Sequence, residues 1–242
     1  DNHRIRKIVI SSGAVTTIAG SGSTGNTDGT GTAATFQYPR GIATDGKNLY
    51  VANTNRQSIR KIIISSGVVT TLAGSGNANQ TGSTNGTGTA ARFNNPRGIT
   101  TDGTNLYVAD YNNHMIRKIV ISTGVVTTLA GSAGSSGSTD GTGTAAKFND
   151  PTGIVSDGTN LYVAEYNNHK IRKIALTGTV TADVELHNLD DDTDASVSLA
   201  SSDTGEATVS PATLTFTEGN WNTTQTVTVT GVNDNDRDRN QA

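Results

Sequence analysis

Residues 112–131 have the sequence NNHMIRKIVISTGVVTTLAG, and the chain contains four segments similar to it, counting this one. The other copies begin at Asp1 as DNHRIRKIVISSGAVTTIAG, at Asn55 as NRQSIRKIIISSGVVTTLAG, and at Asn167 as a fading NNHKIRKIALTGTVTADV. Short apolar runs separated by a glycine-containing turn are typical of antiparallel strands. A chain that repeats itself in this way builds one architecture by stacking one structural unit.

The complete repeat is 57 and then 55 residues long, measured between Gly41, Gly98 and Gly153. We read each repeat as four short strands, which in one copy are GITTD, NLYVAD, MIRKIVI and VVTTLAG. Asp102-Gly103 and its counterparts lie between the first two strands, and Asp-Gly favours a tight hairpin. The repeat therefore predicts an all-β fold made of four-stranded antiparallel blades, the units of a β-propeller.

The repeat resembles the NHL family of β-propellers, which is named for an Asn-His-Leu run. Here the run survives as Asn2-His3, Asn113-His114 and Asn168-His169, each followed one residue on by Ile-Arg-Lys-Ile. The resemblance covers residues 1 to about 176 and implies a propeller. One copy departs from the pattern, because Gln57-Ser58 replaces the Asn-His pair. A histidine is therefore not required in every blade.

The strand pattern predicts which apolar residues fill the space between blades. We expect one Ile, one Leu and one Val from each of three repeats to occupy equivalent buried positions. These residues are Ile42, Ile99, Ile154, Leu49, Leu106, Leu161, Val51, Val108 and Val163.

The strand count predicts an incomplete propeller with open edges. Residues 1–20 supply the last two strands of a blade, and the later copies supply at most twelve more, or fourteen in all. Closed propellers have about 4 to 8 blades of four strands. We therefore expect the outermost strands to pair with further blades or with another chain. The predicted assembly edge comprises Ile5, Ile8, Ile10, Val180 and Val184.

Charge divides the chain into two parts. Up to Thr177 the formal charge is +7, and from Gly178 onward it is −10, which together give the net charge of −3. We therefore predict a propeller segment at residues 1–176 and a second domain at residues 177–242. The chain contains no cysteine, so it holds no disulfide, and it has no apolar run approaching the roughly 20 residues of a membrane span.

The second domain resembles Calx-β and related immunoglobulin-like modules of large secreted bacterial proteins. The segment SPATLTFTEGNWNTTQTVTVTGVNDND carries this resemblance, which implies an incomplete antiparallel β-sandwich. Two acidic runs flank this domain, and dense carboxylates suit Ca²⁺, as the resemblance also implies. A solvated acidic linker is the alternative explanation. The candidate calcium ligands are Asp190, Asp191, Asp192, Asp194, Asp234, Asp236 and Asp238.

The other candidate sites are better explained by packing than by chemistry. One histidine per blade at a fixed position, as at His114, indicates a packing role more than a zinc site. In the Arg-Lys pairs, neighbouring strand residues face opposite sides, so one member should pack between blades. The DGTGTAA loops lack the ending of a phosphate-binding loop, and we expect Phe36, Phe93 and Phe148 to anchor them in the core. The sequence assigns no catalytic residues.

The two resemblances together favour a non-enzymatic extracellular or cell-surface protein. The propeller would be a rigid scaffold for adhesion, the second domain a spacer, and the chain a component of a surface filament. Its partners would be a protein, a glycan or copies of itself. The alternative is a propeller that recognises RNA or carbohydrate through a basic face. The acidic domain would repel a polyanion, so nucleic acid is not the expected partner.

Overall fold

The computed structural model describes residues 2–176, 179–184, 195–199, 207–217 and 225–231. The chain divides into two compact units, Asp1–Ile174 and Ala175–Ala242. Both consist of antiparallel strands, and the only helical elements in the described ranges are single turns of 3-10 helix. The prediction of an all-β fold with a partial β-propeller is confirmed.

The first unit contains one half blade, two complete blades and one three-stranded blade. Blade 1 consists of β1 (Ile5–Ile8) and β2 (Val15–Ala19). Blade 2 consists of β3 (Gly29–Thr30), β4 (Pro39–Thr44), β5 (Asn48–Asn53), β6 (Ser58–Ile63) and β7 (Val68–Gly74). Blade 3 consists of β8 (Gly86–Thr87), β9 (Pro96–Thr101), β10 (Asn105–Asp110), β11 (Met115–Val120) and β12 (Val125–Gly131). Blade 4 consists of β13 (Pro151–Ser156), β14 (Asn160–Glu165) and β15 (Lys170–Ala175).

The two complete blades share one strand order and one register. In blade 3 the order is β8-β12-β11-β10-β9, and in blade 2 it is β3-β7-β6-β5-β4. The short strands β3 and β8 come from the glycine-rich loop that precedes each blade. They add a fifth strand beyond the outermost long strand of that blade. The loop is therefore part of the sheet of the blade that follows it.

The innermost strands of successive blades approach closely because glycine occurs at the contact. A side chain at Gly41 in β4 would collide with the backbone of Arg97 in β9, and one at Gly98 would collide with Thr152 in β13. Only glycine leaves room for two backbones at this distance. This explains why the Gly-Ile pair marks the repeat so clearly.

Most of the predicted core positions are buried between blades. Ile99, Val51, Val108, Val163, Leu106 and Leu161 are buried, while Leu49 and Ile154 are half-buried. The prediction was wrong for Ile42, which is 51% exposed. Ile99 and Ile42 occupy equivalent positions, but Ile99 belongs to a core cluster that includes Tyr50 and Ala52 of blade 2. Blade 1 offers Ile42 no such cover, because its described strands are only the outer pair β1 and β2.

The expected maximum of fourteen blade strands is not reached, since the four blades contain thirteen strands besides the short β3 and β8. The segment that would complete blade 4 is β16 (Thr179–Val184), and it belongs instead to the second unit. It pairs along its whole length with β20 (Gln225–Gly231). Because all six residues of β16 pair with β20, this strand belongs to a sheet of the second unit and not to blade 4.

The second unit contains two small antiparallel sheets. Between β16 and β20 the chain forms β17 (Ala195–Ser198), β18 (Ala207–Ser210) and β19 (Thr213–Phe216). The sheets have the orders β16-β20-β18 and β17-β19. Leu214, Phe216 and Val227 form a small core. The Calx-β resemblance stays a prediction for this unit.

Candidate functional site

A buried arginine from the third strand lies at the centre of each blade from the second onward. Arg60 and Arg117 are fully buried and Arg172 is 9% exposed. Each guanidinium stands over the phenylalanine of the loop that precedes its blade, at 5.2 or 5.3 Å from the ring centre, in the pairs Arg60–Phe36, Arg117–Phe93 and Arg172–Phe148. We call each of these assemblies an arginine hub. Arginine is therefore the packed member of each Arg-Lys pair in these three blades.

Each arginine hub fastens its preceding loop by two backbone contacts. In blade 3, Arg117 Nη1 donates to the carbonyl oxygen of Arg92 at 2.9 Å, and Nη2 donates to that of Thr84 at 3.2 Å. The other two hubs repeat both contacts at 2.9–3.1 Å. All three phenylalanines are buried, which confirms the predicted anchoring of the loops.

The carboxylate that balances the arginine changes place between blades 2 and 3. In blade 2 it comes from the loop, where Asp28 Oδ1 lies 2.7 Å from Arg60 and is half exposed. In blade 3 it comes from the end of β10, where the fully buried Asp110 lies 3.2 Å from Arg117. The loop position of blade 3 is the neutral Asn85, which accepts from Arg117 at 2.9 Å.

Blade 4 has a carboxylate at both positions. Arg172 pairs with the buried Glu165 at 2.7 Å and with the exposed Asp140 at 2.5 Å. Asn53 takes the place of Glu165 in blade 2. These partners were not predicted. The repeat nevertheless carries a signal for them. The residue after NLYVA and the first residue of the DGTGTAA loop are each an acid in some copies and an asparagine in others.

Burial shifts the ionisation of the hub groups. It raises the pKa of Asp110 to about 6, although the backbone N–H of Asn94, Arg117 and Asn113 all act in the opposite sense. Burial also lowers the pKa of Arg117, and Asp110 opposes that change. At neutral pH Asp110 is therefore ionised, but burial makes its charged form less stable than it would be in water.

A second repeated network of hydrogen bonds stabilises the predicted Asp-Gly turns. The carboxylate of Asp45 accepts from the backbone N–H of Lys47 and Asn48 at 2.9 and 2.6 Å and from the Tyr50 hydroxyl at 2.8 Å. Burial acts to raise the pKa of Asp45, but these hydrogen bonds outweigh it and lower that pKa. Burial and the nearby carboxylate raise the pKa of Tyr50. Asp102 with Tyr107 and Asp157 with Tyr162 repeat the contact.

The histidine position of the repeat serves as a hydrogen-bond acceptor between blades. His3 Nδ1 accepts from the backbone N–H of Tyr38 at 3.2 Å, and His114 Nδ1 accepts from that of Asp150 at 3.1 Å. Gln57 makes the same contact through Oε1, which explains why glutamine can stand there. All three have left-handed backbone conformations, with φ from 49° to 56°.

We call the space beside each of these contacts a junction groove. It lies between the turn after the second strand of one blade and the first strand of the next blade. Within the described residues, the groove between blades 1 and 2 opens into a cavity of about 280 Å³. Its lining residues are Asn2, His3, Arg4, Tyr38, Pro39 and Arg40.

Side chains at the two later grooves make contacts of their own. Arg97 in β9 stacks on the ring of Tyr111, in the turn after β10 of the same blade, with 3.2 Å between the guanidinium carbon and the ring centre. Between blades 3 and 4, the carboxylate of Asp150 lies 3.3 Å from His114 Nδ1.

The residues of the predicted assembly edge lie in three different environments. Ile5 is buried against blade 2, whereas Ile8 and Ile10 are exposed. Val180 and Val184 lie in β16, whose one described partner is β20. Assembly through this edge stays a prediction.

Two blade faces expose residues whose counterparts are buried elsewhere in the propeller. Ile8 in β1 is 62% exposed, although its counterpart Ile62 in blade 2 is fully buried. Ile171 in β15 is 71% exposed, although its counterpart Ile116 in blade 3 is fully buried. We call these surfaces the first and last blade faces.

The seven aspartates of the predicted calcium sites lie outside the described residues. Among the residues that are described, no three histidine or acidic side chains converge as metal ligands. The described part of the chain also has no helix long and apolar enough to cross a membrane.

Comparison with known proteins identifies the repeat. No protein-family model matches the chain. NHL repeat-containing protein 2 of Bos taurus is 34% identical over 161 residues, which is 61% of this chain and 22% of that protein. Protein SUPPRESSOR OF QUENCHING 1, chloroplastic, of Arabidopsis thaliana is 32% identical over 185 residues, 72% of this chain and 17% of that protein. The chain thus spans about a fifth of the length of these relatives.

Solved structures agree with the fold. A structural genomics protein of unknown function from Bacteroides thetaiotaomicron aligns with a TM-score of 0.60 and 27% identity. The alignment covers 72% of this chain and 42% of that one. Together with the blade geometry, these similarities show that the repeats of this chain form an NHL-type β-propeller segment.

Proposed function

We propose that this chain is part of a non-enzymatic extracellular structural or adhesion protein. The NHL-type propeller is the rigid binding scaffold, and the second unit is a spacer of the Calx-β type. The observation that carries this proposal is the repeated arginine hub, which fixes each of three described blades to the loop before it and so makes the propeller rigid.

The buried charged groups of the propeller support a structural role over a catalytic one. Each described hub arginine is engaged by a phenylalanine ring, two backbone carbonyls and at least one carboxylate. Guanidinium groups with these partners are held in place by packing, and an arginine stays protonated, which suits a structural role. The NHL-type similarity is compatible with a binding propeller.

The assembly would use the open ends of the propeller. We expect β1 to pair with a preceding strand, since its one partner among the described residues is β2. Further NHL-type blades or copies of this chain are the partners with matching surfaces. Such assembly would extend the protein toward a surface filament.

The acidic runs of the second unit are proposed as calcium sites, and a solvated acidic linker is the alternative. Calcium that binds only the folded unit would raise its stability by about 2.7 kcal/mol at a hundredfold excess over the dissociation constant. Thermal unfolding with calcium and then with chelator tests this. An unchanged midpoint at millimolar calcium in wild type and in Asp191→Asn would leave only the linker.

The proposed function is tested with the purified chain on intact bacterial cells, on immobilised glycans and on structured RNA. We expect binding to cells, to glycans or to copies of itself, and an antibody against the propeller should label unpermeabilised cells of the source. RNA binding that falls steeply with salt would favour the rival function. That rival has its own support, because Arg4, Arg40, Arg56 and Arg97 form no salt bridge among the described residues.

A further inference from the structure

We propose that Asn85 is a self-modification site, at which the asparagine loses ammonia and becomes an aspartate that completes the arginine hub of blade 3. In the whole sequence, Asn85 is the one asparagine that is followed by glycine. Glycine has no side chain to hinder an attack of its backbone nitrogen on the preceding amide, so an Asn-Gly pair loses ammonia readily. This inference does not depend on the proposed scaffold role of the propeller.

The position of Asn85 holds a carboxylate in the other two hubs, where Asp28 and Asp140 are its counterparts. In blade 2 both oxygens of that carboxylate are engaged. Asp28 Oδ1 accepts from Arg60 Nη2 at 2.7 Å and from the Thr71 hydroxyl at 3.1 Å, and Oδ2 accepts from the backbone N–H of Thr71 at 3.3 Å. The donors at this position are therefore arranged for two acceptor oxygens.

Asparagine satisfies only part of this arrangement in blade 3. Asn85 Oδ1 accepts from Arg117 Nη2 at 2.9 Å and from the hydroxyl of Thr128, the counterpart of Thr71, at 3.4 Å. Among the described residues, no hydrogen bond joins the Asn85 side chain to the backbone N–H of Thr128. The amide nitrogen is a donor and cannot accept there. An aspartate would supply the second oxygen that blade 2 already has.

The main chain around this position also accommodates an aspartate. Strand β8 begins directly after Asn85 and pairs with β12 in the register that β3 and β7 adopt after Asp28. An isoaspartate, which is the other product of ammonia loss, would insert an extra methylene into the main chain just before β8. The native sheet is therefore compatible with normal aspartate and disfavours isoaspartate.

The reaction needs only water as a co-reactant, and Asn85 is exposed. The backbone nitrogen of Gly86 forms a bond to Asn85 Cγ, the Cγ–Nδ2 bond breaks, and Nδ2 leaves as ammonia with the proton of the Gly86 N–H. A five-membered cyclic imide results. Water that attacks Cγ breaks the new bond, returns a proton to the Gly86 nitrogen and leaves aspartate. Water that attacks the backbone carbonyl carbon of residue 85 leaves isoaspartate.

Arg117 is placed to direct this reaction toward aspartate. Its guanidinium holds the side-chain oxygen on Cγ, where negative charge develops both when the ring closes and when water attacks Cγ. Its described contacts with backbone oxygens are to Thr84 and Arg92, not to the carbonyl of residue 85. The hub therefore polarises the one carbonyl whose hydrolysis gives the normal main chain.

The chain offers matched controls for the test. Asn85→Gln removes the site, because a glutamine would have to close a larger ring. Asn85→Asp copies the product. Asp102→Asn creates a second Asn-Gly pair in an exposed turn of the same blade, where the described hydrogen-bond partners of residue 102 are the turn backbone, Asn105 and Tyr107. That turn provides the motif without a guanidinium.

The full chain is incubated in mildly alkaline buffer, folded or in urea, and its peptides are separated against synthetic aspartate and isoaspartate standards. We expect a mass gain of one dalton at Asn85, none at the exposed Asn79 of the same loop, and none in Asn85→Gln. The folded chain should give at least about threefold more aspartate relative to isoaspartate than the chain in urea, since a positioned donor stabilises the developing charge. Position 102 of Asp102→Asn should show no such preference in the folded chain, and Asn85→Asp should keep or raise the wild-type unfolding midpoint.

Arg117→Lys should lower the share of aspartate formed at position 85. Because Arg117 is fully buried and its replacement can unfold the blade, the comparison of the folded chain with the chain in urea is the decisive measurement. An Asn85 that reacts in urea but stays intact in the folded chain would overturn the inference. Equal product ratios in the two states, or a lowered unfolding midpoint of Asn85→Asp, would also overturn it. Each of these outcomes leaves the proposed scaffold function untouched.

Discussion

The arginine hubs of blades 2 and 3 differ in where the counter-charge lies, although their backbones are the same. Blade 2 places it on the half-exposed Asp28 and blade 3 on the fully buried Asp110. The other position of each hub is an asparagine, Asn53 in one and Asn85 in the other. The hub therefore requires a carboxylate within reach of the guanidinium, and either the strand or the loop can provide it.

The largest expected effect comes from removing an arginine. Arg117→Leu leaves the buried Asp110 without its cation and two backbone carbonyls without their donor. We expect a loss of about 3–5 kcal/mol in the free energy of unfolding. Arg60→Leu should cost less, because the half-exposed Asp28 can be hydrated. Urea denaturation of both variants measures the two losses, and equal losses would show that the exposure of the carboxylate does not matter.

A second test compares apolar packing in the same two blades. Leu106 in blade 3 is fully buried, whereas its counterpart Leu49 in blade 2 is half-buried. Leu106→Ala should therefore cost about 2–5 kcal/mol, and Leu49→Ala distinctly less. The midpoints of urea unfolding give both values. A larger loss at Leu49 would mean that blade 2 has cover which its described neighbours do not provide.

A third test uses pH to sense the buried carboxylate. The pKa of Asp110 is about 6 in the folded protein because of burial, and an aspartate in an unfolded chain has a pKa near 4. The folded state therefore takes up the proton first, so the contribution of Asp110 to stability rises as pH falls from about 7 to 4. We expect wild type to gain about 1–3 kcal/mol relative to Asp110→Asn over this range.

Asp110→Asn is the reference because its side chain does not titrate. The quantity of interest is how the difference in unfolding free energy between wild type and this variant changes with pH. Denaturant unfolding at pH 7, 6 and 5 supplies it. A wild type that loses stability relative to Asp110→Asn on acidification would contradict the raised pKa.

The smallest effect is expected in blade 4, where the hub has two carboxylates. Asp140 is 93% exposed, and Glu165 remains beside Arg172 when Asp140 is changed. Asp140→Asn should therefore cost about 0–1 kcal/mol. A loss as large as that of Arg117→Leu would show that the loop carboxylate matters even where a buried one is present.

Much of the propeller was predictable because its signal is repeated. The hairpin at Asp102-Gly103 and the burial of Leu106 follow from strand alternation and turn chemistry, which act locally. The choice of Arg117 over Lys118 for the interior was not predictable in this way. The alternation of side chains along a strand predicts that Arg117 and Lys118 face opposite sides of the sheet. Which of them is buried depends on the carbonyl oxygens of the preceding loop, which bind the guanidinium of Arg117.

Two other errors have long-range causes. Ile42 has the same local sequence as Ile99, and its exposure depends on the strands across the junction rather than on its own neighbours. The segment Thr179–Val184 has an alternating pattern that suits either unit, and its pairing with β20 across more than 40 residues of sequence decides its place. The junction groove between blades 1 and 2 was missed for a similar reason, because Asn2–Arg4 and Tyr38–Arg40 lie about 35 residues apart.

The hubs also define where the chain could be cut and joined. Every described hub draws only on its own blade and on the loop before it, so the self-sufficient cassette begins at that loop rather than at the innermost strand. Gly20, Gly74 and Gly131 mark its limits, each with a positive φ of 88° to 97° at the end of an outermost strand. Deleting residues 75–131 would remove one loop with its blade and leave the contacts within the hubs of Arg60 and Arg172 whole. Gain or loss of a blade by duplication or deletion of such a cassette would leave the contacts within every other described hub unchanged.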